Sequence, residues 1–298
     1  MELTQVYDRK FYGDQVMART SAKQIISLLR GWYKPSSVVD VGCGLGTWLS
    51  VWRELDPGVV VAGLDGNDVG ASERYISVSE YGQVDLTQDF SKSLQVAHEI
   101  LAHSVETGGG GNSLAPKNLP KSKDLATLSK PFELAQSLEV AEHLYPEFAP
   151  NFVKLLTSLS NFVLFSAAIP YQGGVHHVNE QSPGYWADLF AKEGYVCIDC
   201  LREKIWEDES ILWWYRQNIM IFVHESKADL FGFAPVVSPM YAAHFYIWEE
   251  KSKWIESFLH AHEDKPIRTA MKLLLKGMLM QLHLWGLAQR LRQNLRKR

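Results

Sequence analysis

Residues Val38-Val39-Asp40-Val41-Gly42-Cys43-Gly44-Leu45-Gly46-Thr47-Trp48-Leu49 constrain this chain more than any other stretch. A β-branched run ends in glycines at alternate positions, and a helix-like apolar pattern follows. That order reads as a buried strand, a tight turn and a helix start. Glycines let the backbone take φ values that a Cβ forbids and come close to a ligand. The helix N-terminus behind them turns amide N–H groups and positive dipole toward whatever binds there. A dinucleotide fingerprint needs G-x-G-x-x-G. Here the spacing is G-x-G-x-G, and position 47 is Thr, which argues against a nicotinamide oxidoreductase.

A second apolar strand at 59–64 ends at Asp65. A carboxylate about 20 residues past such a turn can accept both hydroxyls of a ribose. The glycine pattern with this acid resembles motif I of the class I S-adenosylmethionine-dependent methyltransferases. The alternative is a glycine-rich turn with no ligand. The resemblance implies that Asp40, Gly42, Gly44, Gly46 and Asp65 hold the cofactor, S-adenosylmethionine. It also places an acid near the adenine amino group, and Asp85 matches; an Asp ending a strand can instead cap a turn.

Pro131-Phe132-Glu133-Leu134-Ala135-Gln136-Ser137-Leu138-Glu139-Val140-Ala141-Glu142-His143-Leu144 resembles the "FDLV-x-S-x-EV-x-EH" signature of small-molecule members, the quinone-biosynthesis type among them. Glu133 stands where Asp is usual. The resemblance puts Gln136, Ser137 and Leu138 beside the methionine moiety. Glu142 and His143 either take part in the chemistry or fix the loop and the helix after it.

A dense polar loop follows the strand at 161–170. It runs from Tyr171 to Trp186 and carries His176, His177, Asn179, Glu180 and Gln181. Ligands of open α/β sheets bind outside the C-terminal strand ends. The loop also resembles an "H-x-NEQ-x-P-x-YW" segment of a methyltransferase subgroup and is taken as the acceptor side; the chain as a whole resembles quinone-biosynthesis and glycan-associated members. His177 or His176 is a candidate general base, because imidazole titrates near neutrality; the alternative is a loop held by hydrogen bonds to backbone. Two adjacent His with Glu180 lack metal-ligand spacing, so no metal is expected.

The expected fold is a doubly wound, Rossmann-like α/β sheet of seven strands. They fall at 38–41, 59–64, 74–78, 132–138, 161–170, 195–201 and 211–223. The resemblance implies that strand seven runs antiparallel beside strand five. Arg216, Gln217 and Asn218 in that strand are expected to bond toward the 171–186 loop. Three regions follow: an N-terminal helix at 1–34 with Tyr7 and Tyr12 as lid candidates, a methyltransferase domain at 35–225, and an extension at 226–298. Residues 91–130 read as an insertion, of which Ser91 to Glu106 could be a helix. Its glycine run and Pro/Lys/Ser-rich second half have linker composition; it is either a substrate lid or a surface insertion.

Cys43, Cys197 and Cys200 make no disulfide framework, which suits a reducing compartment. The start shows no secretory pattern and no run is long enough to span a membrane, so the chain is expected in the cytoplasm. Residues 265–298 hold nine basic and no acidic residues, leaving the rest markedly acidic. General nucleic-acid binding is not expected of an acidic body. On a helical wheel, Lys265, Arg268, Lys272, Lys276, His283, Arg290 and Lys297 fall within roughly 80° of arc. Such a stripe beside an apolar face suits an anionic membrane surface; alternatively the helix packs on its own domain or on a partner.

The functional expectation is an enzyme that methylates a small-molecule, lipid or glycan hydroxyl. The alternative is a cofactor-binding subunit of a membrane-associated complex that does not catalyse.

Overall fold

Ser37–Val41 forms β1, the centre of the sheet, and every residue in it is buried. Thr47–Leu55 follows as α2, packed with the N-terminal helix α1, Arg9–Arg30. In α1, Ala18, Ala22, Ile25, Ile26 and Leu29 make one buried stripe at helical spacing. Arg19 and Lys23 pair with Glu54 of α2 at 2.5 and 2.8 Å. The remaining elements are β2 (Val60–Asp65), β3 (Tyr81–Gln83), α3 (Phe90–Glu106), β4 (Leu134–Leu138), α4 (Ala149–Leu159), β5 (Phe162–Ser166), α5 (Pro183–Lys192), β6 (Tyr195–Ile198), α6 (Arg202–Ile205), α7 (Trp213–Asn218), β7 (Met220–His224) and α8 (Phe245–His260). This computed structural model describes residues 9–67, 70–88, 90–107, 130–260 and 274.

The chain divides into a unit ending at His244 and a second one from Phe245 onward. In the first, seven strands lie in the order β3-β2-β1-β4-β5-β7-β6. All pairs are parallel except those of β7, which runs against both β5 and β6. This is the doubly wound architecture expected, with strand seven reversed beside strand five. Strand alternation sends Val39 and Val41 to one face and Val38 and Asp40 to the other. Val39 and Val41 pack with α3, α4 and α5, and Val38 with α1, α2, α6 and α7. Cys43, Cys197 and Cys200 are free thiols and buried.

Four boundaries differ from the sequence expectation. The third strand is at 81–83, not 74–78, which instead runs from a 3-10 turn at Ala71–Glu73 toward another at Val78–Glu80. Residues 213–218, expected to open strand seven, form α7; Tyr215 meets Trp48 of α2 edge-on at 5.2 Å. The first part of the expected insertion is helical as the sequence allowed, but this helix, α3, belongs to the core through Ala97, Ile100 and Leu101. Residues 226–244, assigned to the extension, belong to the first unit: Val236 bridges to Cys197 of β6 and packs on the core.

Tyr7, residues 108–129 and the basic segment 265–298, apart from residue 274, lie outside the described residues. Among the described residues, no helix is long and apolar enough to cross a membrane.

Candidate active site

The strand order reverses between β1 and β4, and a cavity of about 320 Å³ opens at their C-terminal ends. Its size falls in the range of small-molecule sites, about 300–1,000 Å³. One wall is the glycine turn, with Asp40, Gly42, Cys43, Thr47 and Trp48. The second is the end of β4 and the turn after it, with Leu138, Glu139, Glu142 and His143. The third is the 171–182 loop, with Gln172, Gly173, Gly174, Val175 and His177. Ala18 of α1 and Trp213, Trp214 and Tyr215 of α7 complete it.

The glycine turn needs its glycines. Gly42 has φ +84°, and a Cβ there would lie 2.4 Å from Val140 Cγ2. Gly46, also left-handed at φ +77°, starts α2 with no side-chain cap. Thr47 Oγ1 is buried, without a hydrogen-bond partner. Asp65 ends β2 against this turn: its Oδ2 accepts from Gly44 N–H at 2.7 Å and its Oδ1 from Asn67 N–H at 2.9 Å. Burial raises its pKa.

Asp40 is buried on the α1/α2 face of β1, directly opposite Gln136 on β4. Gln136 Nε2 donates to Asp40 Oδ2 at 2.8 Å, and its Oε1 accepts from Trp52 Nε1 at 2.9 Å. Burial pushes Asp40 up to about 7 against the opposing hydrogen bond of Gln136, with the charge of Asp65 adding to the rise. Of the three β4 candidates, Leu138 lines the cavity. Gln136 and Ser137 do not line it: Gln136 is held between Asp40 and Trp52, and Ser137 donates to Val41 O at 2.7 Å. Asp85 is exposed and makes a turn cap, accepting from Thr87 N–H and Oγ1 at 2.9 and 2.6 Å. The Thr87 hydroxyl is the main cause that lowers its pKa.

The acceptor side is assembled through backbone. The carbonyl of Glu142 accepts from Val178 and Asn179 N–H at 2.9 and 3.0 Å, clamping the loop onto the 3-10 turn Ala141–His143. His177 thereby meets His143 edge-on, 4.9 Å between ring centroids. Glu180 Oε1 lies 2.9 Å from His177 Nδ1 and accepts from Gly173 N–H at 2.6 Å. Burial, then the neighbouring His177 and His176, depress His143 to about 4. His176, the other candidate base, is exposed, has φ +58° and does not line the cavity.

Glu139 lines the cavity but was not among the sequence candidates. It sits at φ +57° just past β4. Its carboxylate accepts from Asn218 Nδ2 at 3.1 and 3.2 Å and from Gln172 Nε2 at 3.4 Å. Gln217 Nε2 and Asn218 Nδ2 donate to Gln172 Oε1 at 2.9 and 3.0 Å, so two of the three residues expected to bond toward the loop do so, from α7, while Arg216 donates to Trp206 O at 2.9 Å instead. Burial raises both Glu139 and Glu142, and for Glu142 the nearby charge of Glu139 adds to the rise. The signal for Glu139 was present in E-V-x-E-H, where it stands three residues before Glu142.

A sheet of this order, with β7 reversed, is the Rossmann-like methyltransferase fold. No protein-family model matches the sequence, and no curated protein matches it. Among solved structures, the chain is similar to magnesium protoporphyrin IX methyltransferase (ChlM) from Synechocystis PCC 6803 with bound SAM. The identity is 16%, over 74% of this chain and 88% of that one, with a TM-score of 0.40. It is also similar to DesVI from Streptomyces venezuelae, at 13% identity over 75% and 98%, TM-score 0.46. A third is an O-methyltransferase family protein from Burkholderia thailandensis, at 10% identity over 72% and 59%, TM-score 0.45. The assignment of the fold rests on this chain's own strand order and register.

Proposed function

We propose that the protein is an S-adenosylmethionine-dependent methyltransferase acting on a small-molecule, lipid or glycan hydroxyl. One observation carries this reading: a single cavity at the β1/β4 reversal joins the glycine turn to a cluster of imidazoles and carboxylates. The residues fit the cofactor. The first turn of α2 has no side-chain cap, and Thr47, which lines the cavity, has a buried hydroxyl with no hydrogen-bond partner among the described residues. Both offer polar groups to a ligand. When bound, S-adenosylmethionine supplies an electrophilic methyl group on a sulfonium.

Gly42 would admit it from the cavity, Asp40 and Leu138 would flank its methionine end, and Gly44, Gly46 and Asp65, which adjoin the turn but do not line the cavity, would meet its nucleoside end, Asp65 accepting the ribose hydroxyls. Gln136 acts through Asp40, which it orients. Asp85 would reach the adenine only by giving up part of its turn cap. The acceptor would enter between α7 and the 171–182 loop, where Trp213 and Trp214 offer apolar surface. His177, held by Glu180, and His143 would receive its hydroxyl; His176 is left out because it lies outside the cavity. Holding the nucleophile in line with the methyl group is the enzyme's main contribution to rate.

The basic segment 265–298 motivates the lipid-linked choice and a peripheral membrane location. Liposome binding that survives its deletion would remove that part. Calorimetric titration with S-adenosylmethionine and S-adenosylhomocysteine tests the core reading. Micromolar binding is expected, lost in Asp65→Ala. Folded wild-type protein that binds neither compound would overturn it.

A further inference from the structure

Glu142, His143 and His177 meet on the cavity wall, a grouping that their sequence spacing did not offer. Each presents one ligand atom, and these atoms lie within 4.8 Å of one another. Glu142 is fully buried with its carboxylate beside that of Glu139, and close backbone amides are the only donors it has there among the described residues. Two neighbouring buried carboxyl groups are costly to ionise, and a cation is one group that offsets that cost. His177 is already oriented as a ligating imidazole usually is. Its Nδ1 faces the Glu180 carboxylate at 2.9 Å, which fixes the tautomer and leaves Nε2 as the acceptor. The ring lies so close to bare backbone that a Cβ on Gly174 would sit 2.2 Å from Nε2.

We propose that Glu142, His143 and His177 bind one divalent first-row transition-metal ion. Bonds of about 2.0–2.2 Å put neighbouring ligand atoms roughly 3 Å apart and opposed ones roughly 4.2 Å apart. Two imidazoles and one carboxylate favour manganese, iron, cobalt or zinc over magnesium and calcium, which prefer all-oxygen shells. Three protein ligands leave positions open to the cavity, where the ion would hold and orient the acceptor's hydroxyl oxygen. That role rests on the methyl-transfer reading; the binding of the ion does not.

The full-length protein, stripped with chelator, is titrated with Zn²⁺ and with Co²⁺ by calorimetry, and cobalt's visible absorption gives a second readout. One ion per chain is expected. Affinity should fall by roughly 100-fold or more in Glu142→Gln and in His177→Ala, and stay unchanged in the exposed His176→Ala. Circular dichroism establishes that each variant is folded, and Glu142→Gln preserves side-chain shape. No binding by folded wild type, or undiminished binding in both ligand variants, overturns the site. S-adenosylhomocysteine titrated into the same samples separates the two readings. Its binding without metal binding sinks only the ion, and metal binding without it sinks only the methyl-transfer reading.

Discussion

Asp40 gives the fold an unusual dependence on pH. Its carboxyl is pushed by burial from 3.8 to about 7. Between those values the unfolded chain has released the proton and the native chain has kept it. The native state therefore binds more protons across this window, and unfolding free energy falls as pH rises. The loss begins near pH 4 and is complete above pH 7, the reverse of a salt-bridged aspartate. At about 1.4 kcal/mol per unit, the two units from pH 5 to pH 7 correspond to about 2.7 kcal/mol. Asp40→Asn removes the titration and keeps an oxygen that can accept from Gln136 Nε2. Urea unfolding of both proteins at pH 5 and pH 8 isolates the effect, because every other group titrates in both. Wild type should lose about 2.7 kcal/mol relative to Asp40→Asn over that interval. An unchanged difference would mean that Asp40 titrates in the fold as it does in water. Wild type gaining stability would mean that the carboxylate is the favoured buried form.

Two further substitutions test the frame around the cavity. Gly42→Ala forces a Cβ onto a left-handed backbone and against Val140, costing roughly 1–3 kcal/mol and weakening S-adenosylhomocysteine binding. Adding Val140→Ala should recover only part of the loss by calorimetry, since the backbone strain stays. Phe190 is fully buried and stacks on Phe222 at 3.9 Å. Phe190→Ala should cost about 3–5 kcal/mol in urea unfolding while leaving cofactor affinity unchanged, because neither ring lines the cavity.

The glycine turn and the strands around it were legible because their signals are local: β-branched runs, alternate glycines, an acid at the next strand end. The third strand was misplaced because β3 is only three residues long and pairs with β2 alone. The aromatic run 213–215 has strand propensity, yet tertiary contacts override it. Leu212 N–H is tied to Ser21 Oγ of α1 at 2.9 Å, and the chain turns helical beneath Trp48. Gln136 was legible as a site residue but not in its role, since its bonds to Trp52 and Asp40 span 84 and 96 residues. The meeting of His143 with His177 was hidden for the same reason. It depends on one carbonyl, that of Glu142, capturing two amides from a loop that sequence alone leaves unplaced.

The reversed β7 also bears on the order in which the chain can fold as it is made. β5 ends at Ser166, but its outer neighbour is Met220–His224, and β6 can join only through that same strand. A nascent chain stopped before residue 220 would hold β1, β2, β4 and β5 with one flank of β5 unsatisfied. A bare, apolar strand of Phe-Val-Leu-Phe-Ser is a template for pairing with another chain. The last strand to be synthesised is thus the one that closes the sheet. Fragments ending short of it should aggregate where those reaching His244 stay monodisperse.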